Sequence, residues 1–303
     1  MRQEKTMIWM TTLSTKLVFS FIVITMAIGL QTQRAWTQRV AWFNLYPYGR
    51  GADIAVDLNQ NVYVAGGCLT IKYTTLGDLE WLVNMGGQCR ECFEPSEAPK
   101  PMALILDNNT LPNVYITSGG YDRPVPPHFE DILTTSFDYY GQMEWVRLYS
   151  LSLCPDYLSP KAEAGHDIDW TRLGLVCVTG HGFCAPCPPD GYGVDIVTLW
   201  YTSDGQLLKE RRFSRFPNGI EKGLAVFPGA HAEYVTGYSF GSDNCGPIDP
   251  PQHFIVTMKY SHIGGEDWVR LYGPAVGEQA QAMGIDIVAD IQGNAYVRDC
   301  RGM

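Results

Sequence analysis

YTTLGDLEW (residues 73–81) returns as FDYYGQMEW (137–145), YTSDGQLLK (201–209) and YSHIGGEDW (260–268). The shared frame is an aromatic residue, a Gly four positions later and, in three of the four copies, Trp four positions after that. Copies spaced roughly 60 residues apart, and built from segments too short for helices, mark a repeat array of strands.

Each copy sits in a larger unit that divides into four strands, a to d. Strand a is the DIAVD type (53–57, 103–107, 166–170, 223–227, 286–290), and strand b is the NVYVAGG type (61–67, 113–119, 175–181, 233–239, 294–300). Strand c ends at Tyr73, Phe137, Tyr201 and Tyr260, and strand d begins at Trp81, Trp145, Lys209 and Trp268. Apolar and polar residues alternate within these segments, the period-2 signal of strands. Gly77, Gly141, Gly205 and Gly264 fall in the c–d link, where they predict a turn whose positive φ a side chain would disfavour. The a–b links, such as LNQN (58–61) and IQGN (291–294), read as tight hairpins. Four antiparallel strands leave two faces to cover, and stacking units around an axis covers them. The expected fold is all-β, a β-propeller of four-stranded antiparallel blades within a repeat domain at 36–303. Four blades are complete (52–85, 102–149, 164–213, 223–272) and a fifth is partial (282–300).

The motifs WVRLY (145–149 and 268–272), GNAYV (293–297) and TIKY (70–73) are similar to the SBBP-type β-propeller repeat of secreted bacterial proteins, over residues 40–299. The third unit departs from the pattern, with Lys209 and Cys177 in place of the Trp and Tyr of the other copies. The resemblance implies a propeller and an extracellular location, and it implies no common catalytic residues.

WFNLY (42–46) matches strand d with no a, b or c before it, whereas the fifth unit supplies only a and b. The reading adopted is a truncated chain whose remaining blades lie outside this sequence; ring closure by the N-terminal strand is the alternative, and it leaves strand c missing. Residues 1–35 read as a signal peptide: Arg2, Lys5 and Lys16 precede the apolar run 17–30, which is too short to span a bilayer core of about 30 Å. An uncleaved anchor is the other reading, and the membrane enters only through this segment. Residues 1–35 hold four of the 22 basic residues and one of the 32 acidic ones, so the remainder is net −13. Such a surface repels phosphate backbones and argues against nucleic acid as a partner.

In a propeller the a–b and c–d turns share one end of the sheets, and the b–c and d–a links share the other. The first set is uniformly short here, whereas the second contains 85–100, 119–131, 150–164, 181–195 and 237–252. Long, dissimilar loops on one end of a repetitive scaffold are where binding usually resides. Tyr121, Asp122, His128, His181, Asp190, Tyr192, Asp243 and Asp249 are the ligand-binding candidates there, for an extracellular protein or glycan. Drift in loops of no selected role is the competing explanation, under which each of these side chains is simply solvated.

Eight cysteines, Cys68, Cys89, Cys92, Cys154, Cys184, Cys187, Cys245 and Cys300, fall on the same long-loop side and are disulfide candidates in an exported chain. Cys177 alone is placed within a strand, as a buried thiol. The pairs Cys89/Cys92 and Cys184/Cys187 have zinc-knuckle spacing, but whole blades separate them, so no metal is expected. Neither pair is followed by His, as covalent haem requires, and no cofactor is expected. A quinoprotein dehydrogenase would need a vicinal Cys pair, which is absent, and neither Gly-x-Ser-x-Gly nor His-Glu-x-x-His occurs. The reading is a non-enzymatic binding scaffold, secreted or held at the cell surface. Its rival is a propeller hydrolase, lyase or quinoprotein-like dehydrogenase acting on carbohydrate.

Overall fold

The repeated turn joins two antiparallel strands in each copy. The computed structural model describes residues 51–66, 69–84, 103–121, 130–150, 163–187, 191–216, 219–241, 252–262, 265–273 and 282–301, all within one compact unit, Leu45–Met303. The other unit, Met1–Asn44, lies outside them. Among the described residues there are strands and turns and no helix.

Sheet 1 is β1 (Asp53–Val56), β2 (Val62–Gly66), β3 (Leu69–Tyr73) and β4 (Leu79–Asn84), and sheet 2 is β5 (Ala103–Leu106), β6 (Val114–Tyr121), β7 (Glu130–Phe137) and β8 (Met143–Tyr149). Sheet 3 is β9 (Ala164–Trp170), β10 (Val176–Cys187), β11 (Gly191–Tyr201) and β12 (Leu207–Phe213). Sheet 4 is β13 (Ile220–Pro228), β14 (Ala232–Gly241), β15 (Gln252–Ser261) and β16 (Glu266–Tyr272), and sheet 5 is the pair β17 (Ala282–Ala289) and β18 (Ala295–Arg301). Within each sheet the strands are antiparallel and in chain order, so a to d run as the repeat implies. One parallel bridge, Val194 to Ile220, joins sheets 3 and 4. The first strands β1, β5, β9, β13 and β17 are successive neighbours.

Apolar burial lies between sheets. Tyr63 and Ala65 of sheet 1 cluster with Leu104, Val114 and Ile116 of sheet 2. Tyr115 and Ile132 meet Ile168 and Val178 of sheet 3, Cys177 and Trp200 meet Val235 and Met258 of sheet 4, and Tyr234 meets Ile287 of sheet 5. Each internal sheet therefore has a forward face, carrying the strand-b Tyr, and a rear face, carrying the residue at the position of Ile54.

The repeated Gly and the repeated Trp belong to one contact between successive sheets. Trp81 donates its Nε1–H to the Tyr139 carbonyl at 3.0 Å, and Trp145 donates to Ser203 O at 2.8 Å. Arg147 adds a bond from Nε to Gly205 O at 2.7 Å. The accepting turn lies under the indole: a Cβ on Gly141 would sit 2.8 Å from Trp81 Cδ2, and one on Gly205 would sit 2.6 Å from Trp145 Cδ2. Gly77, Gly141 and Gly205 also have φ of 88°, 80° and 82°, as the sequence predicts. Glycine is thus required for both conformation and space.

The first strands are joined by carboxylates. Asp53 accepts from its neighbour Ile54 N and from Leu104 N of sheet 2, both at 2.8 Å. Asp167 accepts from Ile168 N at 2.9 Å and from Val226 N of sheet 4 at 2.7 Å. Asp286 makes the first of these bonds, to Ile287 N at 2.9 Å. Ala103 and Ala225 occupy the equivalent position in sheets 2 and 4, so donor and acceptor sheets alternate.

Cross-strand register explains the irregular third repeat. Tyr63, Lys72 and Trp81 stand opposite one another on β2, β3 and β4, and Tyr234, Lys259 and Trp268 do so in sheet 4. The matching row in sheet 3 is Cys177, Trp200 and Lys209. Trp has moved one strand inward and exchanged places with Lys, and the small Cys177 makes room for it. Trp200 is buried and meets Tyr260 of sheet 4 edge-on at 5.3 Å.

Two stability tests follow from these contacts. Gly205→Ala is expected to cost about 3 kcal/mol, from the left-handed conformation and the displaced indole together. Gly174→Ala, where φ is also positive at 74° but the nearest neighbour, Trp170 Cζ2, is 3.8 Å from the new Cβ, carries only the conformational part, about 1 kcal/mol. Equal urea-denaturation losses would show that the indole contact is not limiting. In sheet 3, Cys177→Tyr alone overpacks against Trp200 and should cost about 1–3 kcal/mol. Adding Trp200→Lys and Lys209→Trp restores the row used by sheets 1 and 4 and should recover most of that loss; additive losses would refute the exchange.

Candidate functional site

Strands b and c extend further toward the long-loop end than the sequence predicts. Within the stretches 119–131, 181–195 and 237–252, read there as loops, residues 119–121, 130–131, 181–187, 191–195, 237–241 and 252 are strand. Pairing of β10 with β11 continues through Phe183–Val194 and Cys184–Gly193 to Cys187–Gly191, whereas β9 leaves the sheet at His181 and β12 at Ile196. The β14–β15 hairpin reaches Gly241–Gln252, and β6–β7 reaches Tyr121–Glu130. Sheets 2 and 3 therefore each project a b–c hairpin past both of their flanking strands, whereas the sheet 4 hairpin passes β16 and is accompanied by β13 as far as Phe240.

Ionisable side chains are buried at the bases of these hairpins. Asp131, Glu163, His181, Asp195 and Glu221 are all less than a tenth exposed; Asp131 and Glu221 lie near the starts of β7 and β13, Glu163 just precedes β9, and His181 and Asp195 lie on β10 and β11 where the flanking strands end. His166 is the extra residue of a β-bulge, since Thr179 pairs with Asp167 and Gly180 with Gly165. A bulge re-aims its side chain, and here His166 Nε2 lies 2.6 Å from His181 Nδ1, with the rings stacked at 4.8 Å. One ring nitrogen must donate to the other, so this contact holds only one of the two protons that a doubly charged pair would direct into it. Close packing fixes the bulge, because a Cβ on Gly165 would overlap the Thr117 hydroxyl of sheet 2.

Glu221 begins the neighbouring sheet and is fully buried. Its Oε1 accepts from Ser239 Oγ at 2.9 Å and from Phe216 N at 3.4 Å, while Oε2 has no hydrogen-bond partner among the described residues. Burial pushes its pKa from 4.5 to about 7, against the pull of its hydrogen bonds, and the charge of Asp195 pushes the same way. The Arg215 guanidinium lies over the rings of both Phe216 and Phe254, 4.9 and 4.5 Å from their centroids. Phe240 and His253 pair across the hairpin at 4.3 Å, and burial lowers the His253 pKa. Carboxylate, guanidinium, imidazole and aromatic faces are thus gathered within two adjacent sheets.

Of the candidates named from sequence, His181 is the one whose side chain the structure describes, and it is buried against His166 at the base of the β10–β11 hairpin. Tyr121 and Tyr192 lie on β6 and β11, with side chains outside the described part. Asp122, His128, Asp190, Asp243 and Asp249 lie outside the described residues. So do Cys68, Cys89, Cys92, Cys154 and Cys245, while Cys184 and Cys187 are strand residues of β10 rather than loop residues, with undescribed side chains. Cys300, read as a loop cysteine and a disulfide candidate, is an exposed free thiol on β18. Cys177 is a buried free thiol, and burial pushes its pKa well above the ordinary value, with Glu233 adding to the push. Among the described residues no three His, Cys, Asp or Glu side chains are grouped to hold a metal ion.

Sequence reading missed His166, Asp195, Glu221 and Ser239. His166 and His181 lie 15 positions apart, and their pairing becomes visible only through the register of β9 on β10.

No protein-family model and no curated protein matches the chain. A solved structure of a protein of unknown function from Bacteroides caccae is similar, with a TM-score of 0.39 and 10% sequence identity over 80% of this chain and 89% of that one.

The Glu221 environment makes stability pH-dependent. A carboxyl with a folded-state pKa above its unfolded value binds its proton more tightly when folded, so it contributes stability in acid that is lost as pH rises from about 4.5 through about 7. Asp167 and Asp169, raised by burial to about 7 and about 6, act in the same direction. Urea midpoints are expected to fall between pH 5 and pH 8, and Glu221→Gln should remove up to about 3 kcal/mol of that fall. An unchanged slope in the variant would place Glu221 in a wetter setting than this geometry.

Proposed function

We propose that the chain is an exported β-propeller scaffold, without catalytic activity, whose long-loop end binds an extracellular protein or glycan. The observation that carries the reading is the set of b–c hairpins projecting from sheets 2, 3 and 4 over buried ionisable side chains. The chain-order sheets, the neighbouring first strands and the repeated Trp–Gly contact support the radial arrangement of a propeller. In that arrangement the buried side chains lie at the end of the sheets to which the sequence assigns Asp122, His128, Asp190, Asp243 and Asp249. Export rests on the N-terminal segment and the SBBP-type resemblance, and disulfide stapling of the loops rests on their cysteines.

Polar and aromatic groups set on a rigid sheet suit a hydroxyl-rich or polar surface, because the donors and acceptors are held in place before the ligand arrives. Replacing residues 122–129 by a short Gly-Ser link, which leaves the β6–β7 pairing intact, is expected to reduce binding to a glycan panel or to cell-surface protein at least tenfold without shifting Tm. Undiminished binding, with His181→Ala also silent, would remove this end from consideration.

The Glu221 carboxyl favours one rival, a carbohydrate-acting enzyme, because an acid near neutrality beside a second carboxylate, Asp195, is the pairing that acid–base chemistry requires. Turnover of a glycan that disappears in Glu221→Gln while binding persists would establish that reading in place of the first.

A further inference from the structure

We infer that Arg215 anchors a carboxylate subsite at the long-loop end, and that the ligand it selects is an oligosaccharide carrying an isolated acidic sugar. The inference rests on the reading of that end as the binding end and adds to it the class of ligand.

Arg215 lies in the link from β12 to β13, which connects sheets 3 and 4. Glu221, Ser239 and Phe254 stand opposite one another on β13, β14 and β15, so their side chains share one face of sheet 4. The link packs on that row. Phe216 is fully buried with its ring centroid 6.2 Å from that of Phe254, and the Arg215 guanidinium lies over both rings. Two glycines make room for the rings: a Cβ on Gly241 would sit 2.7 Å from Phe216 Cδ2, and one on Gly273 would sit 2.6 Å from Phe254 Cδ1. The cation is therefore fixed in place before any ligand arrives.

What the guanidinium lacks is an acceptor. Arg147 donates to Gly205 O and Arg212 to the Tyr149 hydroxyl, whereas Arg215 has its two ring contacts and no hydrogen bond or ion pair among the described residues. Its Nε is buried without a partner, while the residue as a whole is half-buried and keeps part of its surface open. Donors of a charged group are costly to leave unmade, so a cation held this way is set to receive an anion. Glu221 does not fill that role. Its Oε1 accepts from Ser239 Oγ and from the Phe216 main chain, so it holds the link rather than the guanidinium. Burial also favours its neutral form, which leaves the Arg215 charge uncompensated.

The planar fork of a guanidinium matches a carboxylate. Beside it the half-buried Phe254 ring offers a negative π face to the C–H groups of a sugar ring. The place is also recessed: Val194 N donates to Gly219 O at 2.9 Å at the level of the link, whereas β10 and β11 continue past it to Cys187–Gly191. A slender chain fits beside such a projection better than the broad surface a protein partner requires. The formal charge of −10 repels polyanions, so the match is one acidic sugar in an otherwise neutral chain.

The experiment is calorimetry on the full-length chain with a xylo-oligosaccharide bearing a single glucuronate, the same oligosaccharide with that carboxyl reduced to the alcohol, and a short poly-glutamate peptide. The acid form is expected to bind at least about tenfold more tightly than the reduced form, by a margin that shrinks as salt is raised. Arg215→Met, which keeps the cover over the rings, should abolish the margin without moving Tm, and Arg215→Lys, which keeps the charge without the fork, should retain a minor part of it. Equal binding of the two oligosaccharides, no binding of the acid form, a margin that survives Arg215→Met, or equally tight binding of the peptide would each overturn the inference. Oligosaccharide binding that is lost on replacing residues 122–129 but is indifferent to Arg215 would retain the long-loop reading and overturn this inference alone.

Discussion

A four-stranded sheet with apolar side chains on both faces has no interior of its own, so every buried residue in this molecule depends on a neighbouring sheet. The contact that enforces this is the one between the strand-d Trp and the c–d turn of the following sheet, where an indole lies against a glycine and donates to a main-chain carbonyl. Burying a side chain of this size contributes about 2–3 kcal/mol, but its directional part is what orders the array. The indole N–H must find its acceptor at one place, and that fixes how far the next sheet is advanced and rotated. Asp53 and Asp167 do the same for the first strands, each bridging two main-chain donors on successive sheets.

That contact is also why the fold was legible in the sequence. Gly and Trp recur together because they are two sides of one interface, the Trp of one repeat resting on the Gly of the next. Strand order and sheet boundaries follow from the same frame, and the turn glycines have the expected positive φ. The third repeat read as decay, since Lys209 and Cys177 replace the residues of the frame. The compensating residue, Trp200, lies on another strand and becomes intelligible only when pairing puts 177, 200 and 209 in one row.

The candidate site was less legible, for three physical reasons. The stretch HGFCAPCPPDGYGVD is rich in Gly, Pro and Cys and lacks alternation, yet residues 181–187 and 191–195 pair as β10 and β11, with a further bridge from Val194 to Ile220 of the next sheet. His166 is turned toward His181 by a bulge whose cause is the approach of Gly165 to Thr117 on another sheet, a contact between residues 48 positions apart in sequence. Glu221 stands before the segment that alternation marks as strand, and its carboxyl is raised first by burial, with Asp195 adding to the push and the Ser239 hydrogen bond opposing it, from residues on two other strands.

The two ends of the sheets are under unequal constraint, and this accounts for where variety accumulates. At the short-turn end a c–d turn must present a carbonyl to the preceding indole, so its length and its glycine cannot drift without breaking a junction. The a–b turns are held by Asp57 with Asn61 and Tyr63, and again by Asp290 with Asn294 and Tyr296. At the opposite end the b–c hairpins outrun the first and fourth strands of their own sheets: beyond His181 and Ile196 the β10–β11 pair is flanked by neither β9 nor β12, and its one link to the next sheet among the described residues is the bridge from Val194 to Ile220. Insertions there cost little more than loop-closure entropy, which grows only slowly with length. A scaffold held closely at one end and less constrained at the other can therefore change what it presents without changing how it folds, and Glu221, whose Oε2 has no hydrogen-bond partner among the described residues, lies at the less constrained end.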